Sequence, residues 1–469
     1  MQCFEVYYLV SMQKQYDHII LGTGQAMGTL LGKLISTGES IAVIEGNKVG
    51  GSCVNYGCTP TKTLVSSAKA IHKSRRGDTY GFSVDNLRVN YEAIRERMNQ
   101  VRNTSNEGLI EWMESTENVD LIKGYGAFTG PKTIEVNGDE LEGKNIYVNT
   151  GTYAFVPPIE GVKDLPWMDS AKLMELESQP EHLIIIGGGY IGIEFAQVYR
   201  RFGSEVTIIQ SGDQLMPQED KDVADAIKDF LEEEGIQILL NARAQKGKGQ
   251  DGDLTIAVEK DGETQDVQGT HLLIATGRRP NSKCIGLEKA GIEADEKGYI
   301  RVNDFCETNV DGVYALGDVN GKGAFTHTSV NDAEILINHL YGDGRRKISD
   351  RIPIYALFTD PPLGRVGMSE TEALEKGHRV LKGVKPMSEI SRAKEMGETK
   401  GFAKLLVDAD TDLILGASIL GPGGDEIVNM FAAIMDSKIP CHNYRKVVLV
   451  HPTISELMPF VLDGLELVE

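Results

Sequence analysis

Basic charge is scarce in this chain: 48 lysines and arginines face 69 aspartates and glutamates across 469 residues, a net charge of -21 at neutral pH. A protein without a basic excess releases no counter-ions and repels phosphate backbones and anionic lipid, which argues against nucleic-acid and membrane partners. Long apolar runs are missing too. None reaches the ~18 residues that a membrane-spanning helix needs. The start, Met1 to Ser11, has an apolar patch but no basic flank, carries Glu5, and runs into the first strand motif without a small-residue cleavage site. It is expected to be a short extension, with Met12 an alternative start, and the chain is expected to be cytoplasmic. Cysteine is the third shortage. Six in so long a chain do not make a disulfide framework, and in a reducing compartment a close pair is more often catalytic or metal-binding than structural. Cys3, Cys284, Cys306 and Cys441 stand alone and read as packed or surface thiols. Cys53 and Cys58 do not.

What is present is an ordinary globular composition, 41% apolar with 52 glycines and 16 prolines, at a length that calls for roughly two to four domains. Two segments repeat one pattern: apolar strand, glycine-rich turn, helix, second strand ending in a polar residue. The first is His18-Ile19-Ile20-Leu21-Gly22-Thr23-Gly24 followed by Ile41-Ala42-Val43-Ile44-Glu45, and the second is Leu183 to Gly192 followed by Val206-Thr207-Ile208-Ile209-Gln210. Continuous apolar strands of this kind are buried on both faces, as in a parallel sheet covered by helices. The turns at Ala154 to Gly161 and Thr276 to Pro280 bracket the second repeat, which looks inserted into the first. From about Ile352 the texture changes: strands are expected at 402–407 and 413–418 and an amphipathic helix at 426–435. The fold class is therefore α/β, two Rossmann-like nucleotide-binding domains plus an α+β C-terminal domain.

The glycines suit phosphate chemistry. Gly22 bends the chain and Gly24 lets the backbone approach a pyrophosphate at a helix N-terminus, while Glu45, 23 residues after Gly22, stands where an acid accepts ribose hydroxyls. The third glycine position holds Met27, with Gly28 one place late, so helix and strand are expected slightly farther apart here. Gly187, Gly189 and Gly192 satisfy the full spacing and predict a nicotinamide dinucleotide site. Gln210 occupies the ribose-reading place. It lacks the carboxylate that favours NADH, yet no arginine between 206 and 216 is available for the 2′-phosphate of NADPH, so either coenzyme stays open.

In an ideal helix two residues five apart are ~8.6 Å apart at Cα, from ~1.5 Å rise and ~2.3 Å radius, too far for a disulfide. Cys53 and Cys58 therefore require a distorted helix. Gly57 and Pro60 supply the distortion and put Cys58 near a helix start, where backbone N–H groups stabilise a thiolate. Such a pair can cycle between disulfide and dithiol. A zinc site would need further ligands, and no second closely spaced Cys or His pair exists, so no metal is assigned.

The run Gly50-Gly51-Ser52-Cys53-Val54-Asn55-Tyr56-Gly57-Cys58-Thr59-Pro60-Thr61-Lys62 resembles the redox-active motif of the pyridine-nucleotide disulfide oxidoreductases, the family of glutathione reductase, dihydrolipoyl dehydrogenase and mercuric reductase. The resemblance extends from about Tyr16 over nearly the whole chain. It implies FAD and NADPH or NADH as cofactors and a homodimer. It divides the chain into an FAD-binding domain at 14–155 completed by 278–348, an NAD(P)-binding domain at 156–277 and a dimerisation domain at 349–469. Thr308 to Asp318 looks like the second FAD motif, with Asp318 on the ribityl chain, and Gly51, Ser52, Thr150, Gly151 and Gly277 join the implied cofactor-binding set. Lys62 and Glu194 match the ion pair beside the flavin N5. Cys58 is the implied inner sulfur and Cys53 the outer one, which meets substrate. His451-Pro452-Thr453-Ile454-Ser455-Glu456 resembles the C-terminal motif whose histidine is acid and base for the outer thiol of the partner subunit, oriented by the glutamate.

The stretch Ser391 to Phe402 and the Cys-Thr-Pro-Thr-Lys ending look closest to mercuric-reductase-like proteins. True mercuric reductases carry a C-terminal vicinal cysteine pair and usually a tyrosine where this chain has His451; here the sequence ends Leu467-Val468-Glu469, and no Cys-x-x-Cys precedes Tyr16. The expected activity is reduction of a disulfide or metal ion. Dihydrolipoyl dehydrogenase is the alternative, and a flavin-binding dimer without disulfide turnover is the alternative of another class.

Overall fold

The computed structural model describes residues 14–468, so the short extension, Cys3 and the alternative start at Met12 lie outside the described residues. The chain divides into two compact units. One takes the chain up to Pro60, Asn99–Ala154 and Arg278–Arg351; the other takes Thr61–Met98, Phe155–Gly277 and the chain from Ile352 onward.

In the first unit the strands Val119–Lys123, Ile41–Glu45, Lys14–Leu21 and Asp139–Val148 pair side by side in parallel, with Val313–Ala315 beside the last, and two antiparallel strands complete a seven-stranded sheet. The parallel register sets His18 beside Ile41 and Leu21 beside Ile44. Alternate residues leave these strands on opposite faces. Ile20, Ile41 and Val43 pack with Leu30, Leu31 and Leu34 of the helix Ala26–Ile35, whereas Ile19, Ala42 and Ile44 pack with Phe128 and Ile146 on the other face. Two cores sharing one sheet are why the strand sequences are apolar throughout.

The second unit repeats the device. Its parallel sheet runs Gln237–Leu239, Glu205–Ile209, His182–Ile186, His271–Ile274 and Trp167–Met168. Leu183 and Ile185 enter one core, Ile184 and Ile186 another. A three-stranded antiparallel sheet at Ala242–Gln250, Asp253–Lys260 and Glu263–Gly269 belongs to this unit, as does the six-stranded sheet of the C-terminal region. In the latter, Phe402–Asp408 and Ile414–Leu420 pair antiparallel, and the helix Gly424–Asp436 buries Val428 and Phe431 with Ala403, Leu405 and Ile419. The expected strands and helix stand within two residues of their observed bounds. Among the described residues no helix is long and apolar enough to cross a membrane.

Candidate functional site

The cysteine segment is broken where the disulfide geometry demanded. A short helix Gly51–Tyr56 carries Cys53; the chain leaves helical geometry at Gly57 (φ -133°, ψ -117°) and restarts as Cys58–Arg75, so Cys58 is the first residue of an 18-residue helix. A methyl on Gly57 would sit 2.9 Å from the Ser52 carbonyl oxygen, which is what keeps the kink tight. Both cysteines are thiols, Cys53 half-buried and Cys58 exposed. A hydrogen bond to Cys58, together with burial, pushes the Cys53 thiol well above the usual range. Thr326, at the start of the helix Thr326–Tyr341, opposes that shift and stands with its hydroxyl 3.3 Å from the Cys58 sulfur.

The first glycine turn abuts this segment within the same unit. Gly22 (φ +96°) has no room for a side chain, since a methyl would meet the Asn149 carbonyl oxygen at 2.6 Å, and Gly24 is held by Asn149 Nδ2 donating to its carbonyl at 2.9 Å. A methyl on Gly51 would fall 3.0 Å from the Gly24 α-carbon, and Gly50 N–H donates to the Thr23 hydroxyl at 2.9 Å. Glu45 accepts from the Thr23 amide at 2.9 Å and, through its other oxygen, from the Asn47 amide at 2.8 Å, which fixes an acid at the end of its strand. Ser52 is exposed beside them. Met27 is buried with Leu30 and Leu31, and a methyl on Gly28 would meet nothing, so Gly28 does not replace the missing third glycine. Thr150 is tied to Asn281 through its hydroxyl (2.9 Å) and its carbonyl (3.0 Å), and Gly151 (φ +66°) faces open space. Burial raises the Asp318 carboxyl above the usual range against the pull of Arg278, and Thr152 donates to it at 3.1 Å. Crowded glycines at Gly22 and Gly24, an open one at Gly151 and a fixed acid at Glu45 fit a flavin dinucleotide.

The second glycine turn fits a dinucleotide as well. A methyl would fall 2.4 Å from the Ala275 carbonyl oxygen at Gly187 and 2.2 Å from the Gly187 carbonyl oxygen at Gly192, but nothing lies within 4 Å at Gly189. The outer glycines thus serve packing, while the middle one faces free space at the N-terminus of Tyr190–Phe202, where backbone donors attract phosphate. Gln210 Oε1 accepts from the Gly188 amide at 3.0 Å, so this side chain is braced by the turn itself. Gly277 (φ +125°) also faces open space.

Lys62, one turn after Cys58 on the same helix, donates to Glu194 at 2.7 Å. Glu194 is buried and accepts through its other oxygen from the Phe358 amide at 3.0 Å. His451 is 77% exposed, and its Nδ1 lies 2.9 Å and 3.1 Å from the two Glu456 oxygens. Glu456 is itself held by the Thr453 amide at 3.3 Å. Cys306 and Cys441 are packed in cores and Cys284 is a surface thiol. Among the described residues no cluster of three or more His, Cys, Asp or Glu is arranged to hold a metal ion.

Residues 16–333 match the family described as pyridine nucleotide-disulphide oxidoreductase, and residues 354–460 match that family's dimerisation domain. The chain belongs to this family. The pyridine nucleotide-disulphide oxidoreductases it resembles include the probable pyridine nucleotide-disulfide oxidoreductase RclA of Escherichia coli, 35% identical over 94% of this chain and 97% of that protein. A Staphylococcus aureus mercuric reductase is 31% identical over 88% and 76%, and the Bacillus subtilis dihydrolipoyl dehydrogenase 32% over 95% and 97%. Among solved structures, the Cu(II) complex of RclA from Escherichia coli, described as an HOCl-induced flavoprotein disulfide reductase, superposes with a TM-score of 0.87 at 34% identity, covering 97% of this chain and 99% of that one. As a pyridine nucleotide-disulphide oxidoreductase the protein is a flavoprotein enzyme using FAD and NAD(P)H. Sequence reading missed Thr326, Asn149, Thr152 and Phe358 as site residues, because each reaches the site through tertiary contacts and none sits in a spaced motif.

Proposed function

We propose that this enzyme passes electrons from NAD(P)H through its cysteine pair to a thiophilic metal ion or a disulfide, and that Cys53 is the sulfur that meets the acceptor. The observation that carries this reading is the broken helix: it sets a half-buried Cys53 beside Cys58, and Cys58 opens a helix that also bears Lys62. FAD, when bound, accepts a hydride and returns two electrons to a disulfide. The chain's own part is positional. Gly22, Gly24, Glu45, Gly51, Ser52, Thr150, Gly151 and Asp318 hold the flavin dinucleotide; Gly187, Gly189, Gly192, Gln210 and Gly277 hold the nicotinamide one; Lys62 fixes a positive charge with Glu194. Residues 14–155 with 278–348 serve the flavin, 156–277 the coenzyme, and 349–469 the dimer.

In that homodimer His451, oriented by Glu456, manages the proton of the partner subunit's Cys53. Exposed Val448 (95%) and Val450 (75%) next to His451 support burial of this stretch against a second copy. The relatives named as mercuric reductases and the Cu(II) complex of a solved relative support Hg(II) or Cu(II) as acceptor. NAD(P)H oxidation by the purified protein should rise on adding Hg(II) or Cu(II), and that rise should vanish in Cys53→Ala; stimulation that survives the substitution would show the metal is reduced elsewhere. The His451–Glu456 pair favours one second reading, a thiol-disulfide acceptor of the dihydrolipoyl type. A panel of lipoamide, glutathione disulfide, Hg(II), Cu(II) and quinones with both coenzymes separates the two.

A further inference from the structure

We propose that Phe358 is a positioning residue for the Lys62–Glu194 ion pair, holding the carboxylate with its amide and the ammonium with its ring. The inference deepens the proposed role of that pair and rests on it. The Phe358 amide donates to Glu194 Oε1 at 3.0 Å, while Lys62, bound to Glu194 Oε2 at 2.7 Å, carries its ammonium 4.5 Å from the centre of the Phe358 ring. One residue therefore contacts both charges. The ring face is the negative region of the aromatic quadrupole, so it attracts the ammonium and fills a direction that would otherwise be open to water on a side chain still 32% exposed. A lysine stem has four rotatable bonds, and a single carboxylate partner leaves it free to swing about that contact. A second contact of a different kind removes that freedom.

Phe358 is itself held in place from the same helix that bears Glu194. Gln197, one turn along, accepts from the Asp360 amide at 2.8 Å and donates to the Asp360 carbonyl at 3.0 Å, and Arg201, two turns along, donates to the Asp360 carboxylate at 2.8 Å. Lys69, two turns after Lys62 on its own helix, reaches the same carboxylate at 3.2 Å. The segment 358–360 is thus clamped between the faces of two helices, which fixes the ring before any charge develops nearby. The assignment predicts that the aromatic face, not bulk, sets how tightly the ammonium is held.

The test is competitive acetylation of lysines in the oxidised holoenzyme, with Lys62 modification quantified by mass spectrometry against Lys69. Only an unprotonated, released amine reacts. Phe358→Leu keeps the backbone donor to Glu194 and removes the ring, so Lys62 should be acetylated about fivefold faster. Phe358→Tyr should stay near wild type and Phe358→Trp should fall below it, since indole binds cations best. The flavin midpoint potential should follow, falling in Phe358→Leu and recovering in Phe358→Trp. Wild-type reactivity of Lys62 in Phe358→Leu would overturn the proposal; if that variant does not fold, an unchanged rate in Phe358→Trp overturns it instead. A purely structural ring would shift the melting temperature without producing this order. Acetylation is read without turnover, so its failure is distinct from a failure of the cysteine cycle.

Discussion

Gly189 and Gly192 stand three residues apart and would answer one added side chain in opposite ways. At Gly192 a methyl already meets the Gly187 carbonyl oxygen at 2.2 Å, so Gly192→Ala should lower stability by about 2–3 kcal/mol in denaturant titration. At Gly189 nothing lies within 4 Å, so Gly189→Ala should fold normally and melt as wild type. Its methyl would instead occupy space needed by the pyrophosphate, and steady-state kinetics should show KM for the coenzyme raised about tenfold. Equal effects of the two substitutions on stability would show that the turn has no ligand-facing side. Coenzyme choice is proposed to rest on the end of the following strand, where Gln210 is neutral and no cation follows it in the loop. Ser211→Arg should raise the kcat/KM ratio of NADPH to NADH by about tenfold, because a guanidinium pairs with the 2′-phosphate and has nothing equivalent in NADH.

Among the elements, the helix Tyr190–Phe202 also anchors a neighbouring segment. Its buried Arg201 binds Glu234 and Asp360, both at 2.8 Å, and so fastens the segment that carries Phe358. Burial works against the Asp360 carboxylate, but Arg201 and Lys69 keep it below the usual carboxylate range. A group depressed in the folded state contributes stability that is complete above its unfolded pKa, about 4, and is lost as pH falls through the folded value. Asp360→Asn should therefore cost about 3 kcal/mol at pH 7, and the gap to wild type should narrow below pH 4 when unfolding is followed at both pH values. These elements were unequally legible. The parallel strands could be read from sequence because burial on both faces leaves uninterrupted apolar runs such as Leu183 to Ile186. Ala242–Gln250 could not, since most of its side chains are exposed and its Ala-Arg-Ala-Gln-Lys-Gly-Lys-Gly-Gln sequence carries no alternation. The cysteine break was legible for a stronger reason: Gly57 and the five-residue separation admit no straight helix. Thr326 and Phe358 were not, because their partners lie 268 and 164 positions away in the chain.

At the scale of the molecule, two nucleotide-binding sheets and a dimerisation domain, whose family match spans residues 354–460, divide one electron path into coenzyme, flavin and sulfur stages. The exposed His451 with its half-buried partner Glu456 is proposed to serve the last stage, so its removal should leave the first untouched. His451→Ala should lower steady-state turnover with a disulfide acceptor by about a hundredfold while rapid-mixing traces of flavin bleaching by NAD(P)H stay at the wild-type rate. Slowed bleaching would place the histidine in the coenzyme half of the cycle. Anaerobic NAD(P)H titration followed by visible absorbance reports whether Cys53 and Cys58 form the working pair with Cys58 on the flavin side. A long-wavelength charge-transfer band should grow at two electrons in the wild type, persist in Cys53→Ser and disappear in Cys58→Ser; a wild type without the band, or a Cys58→Ser variant that retains it, would exclude Cys58 as the sulfur beside the flavin.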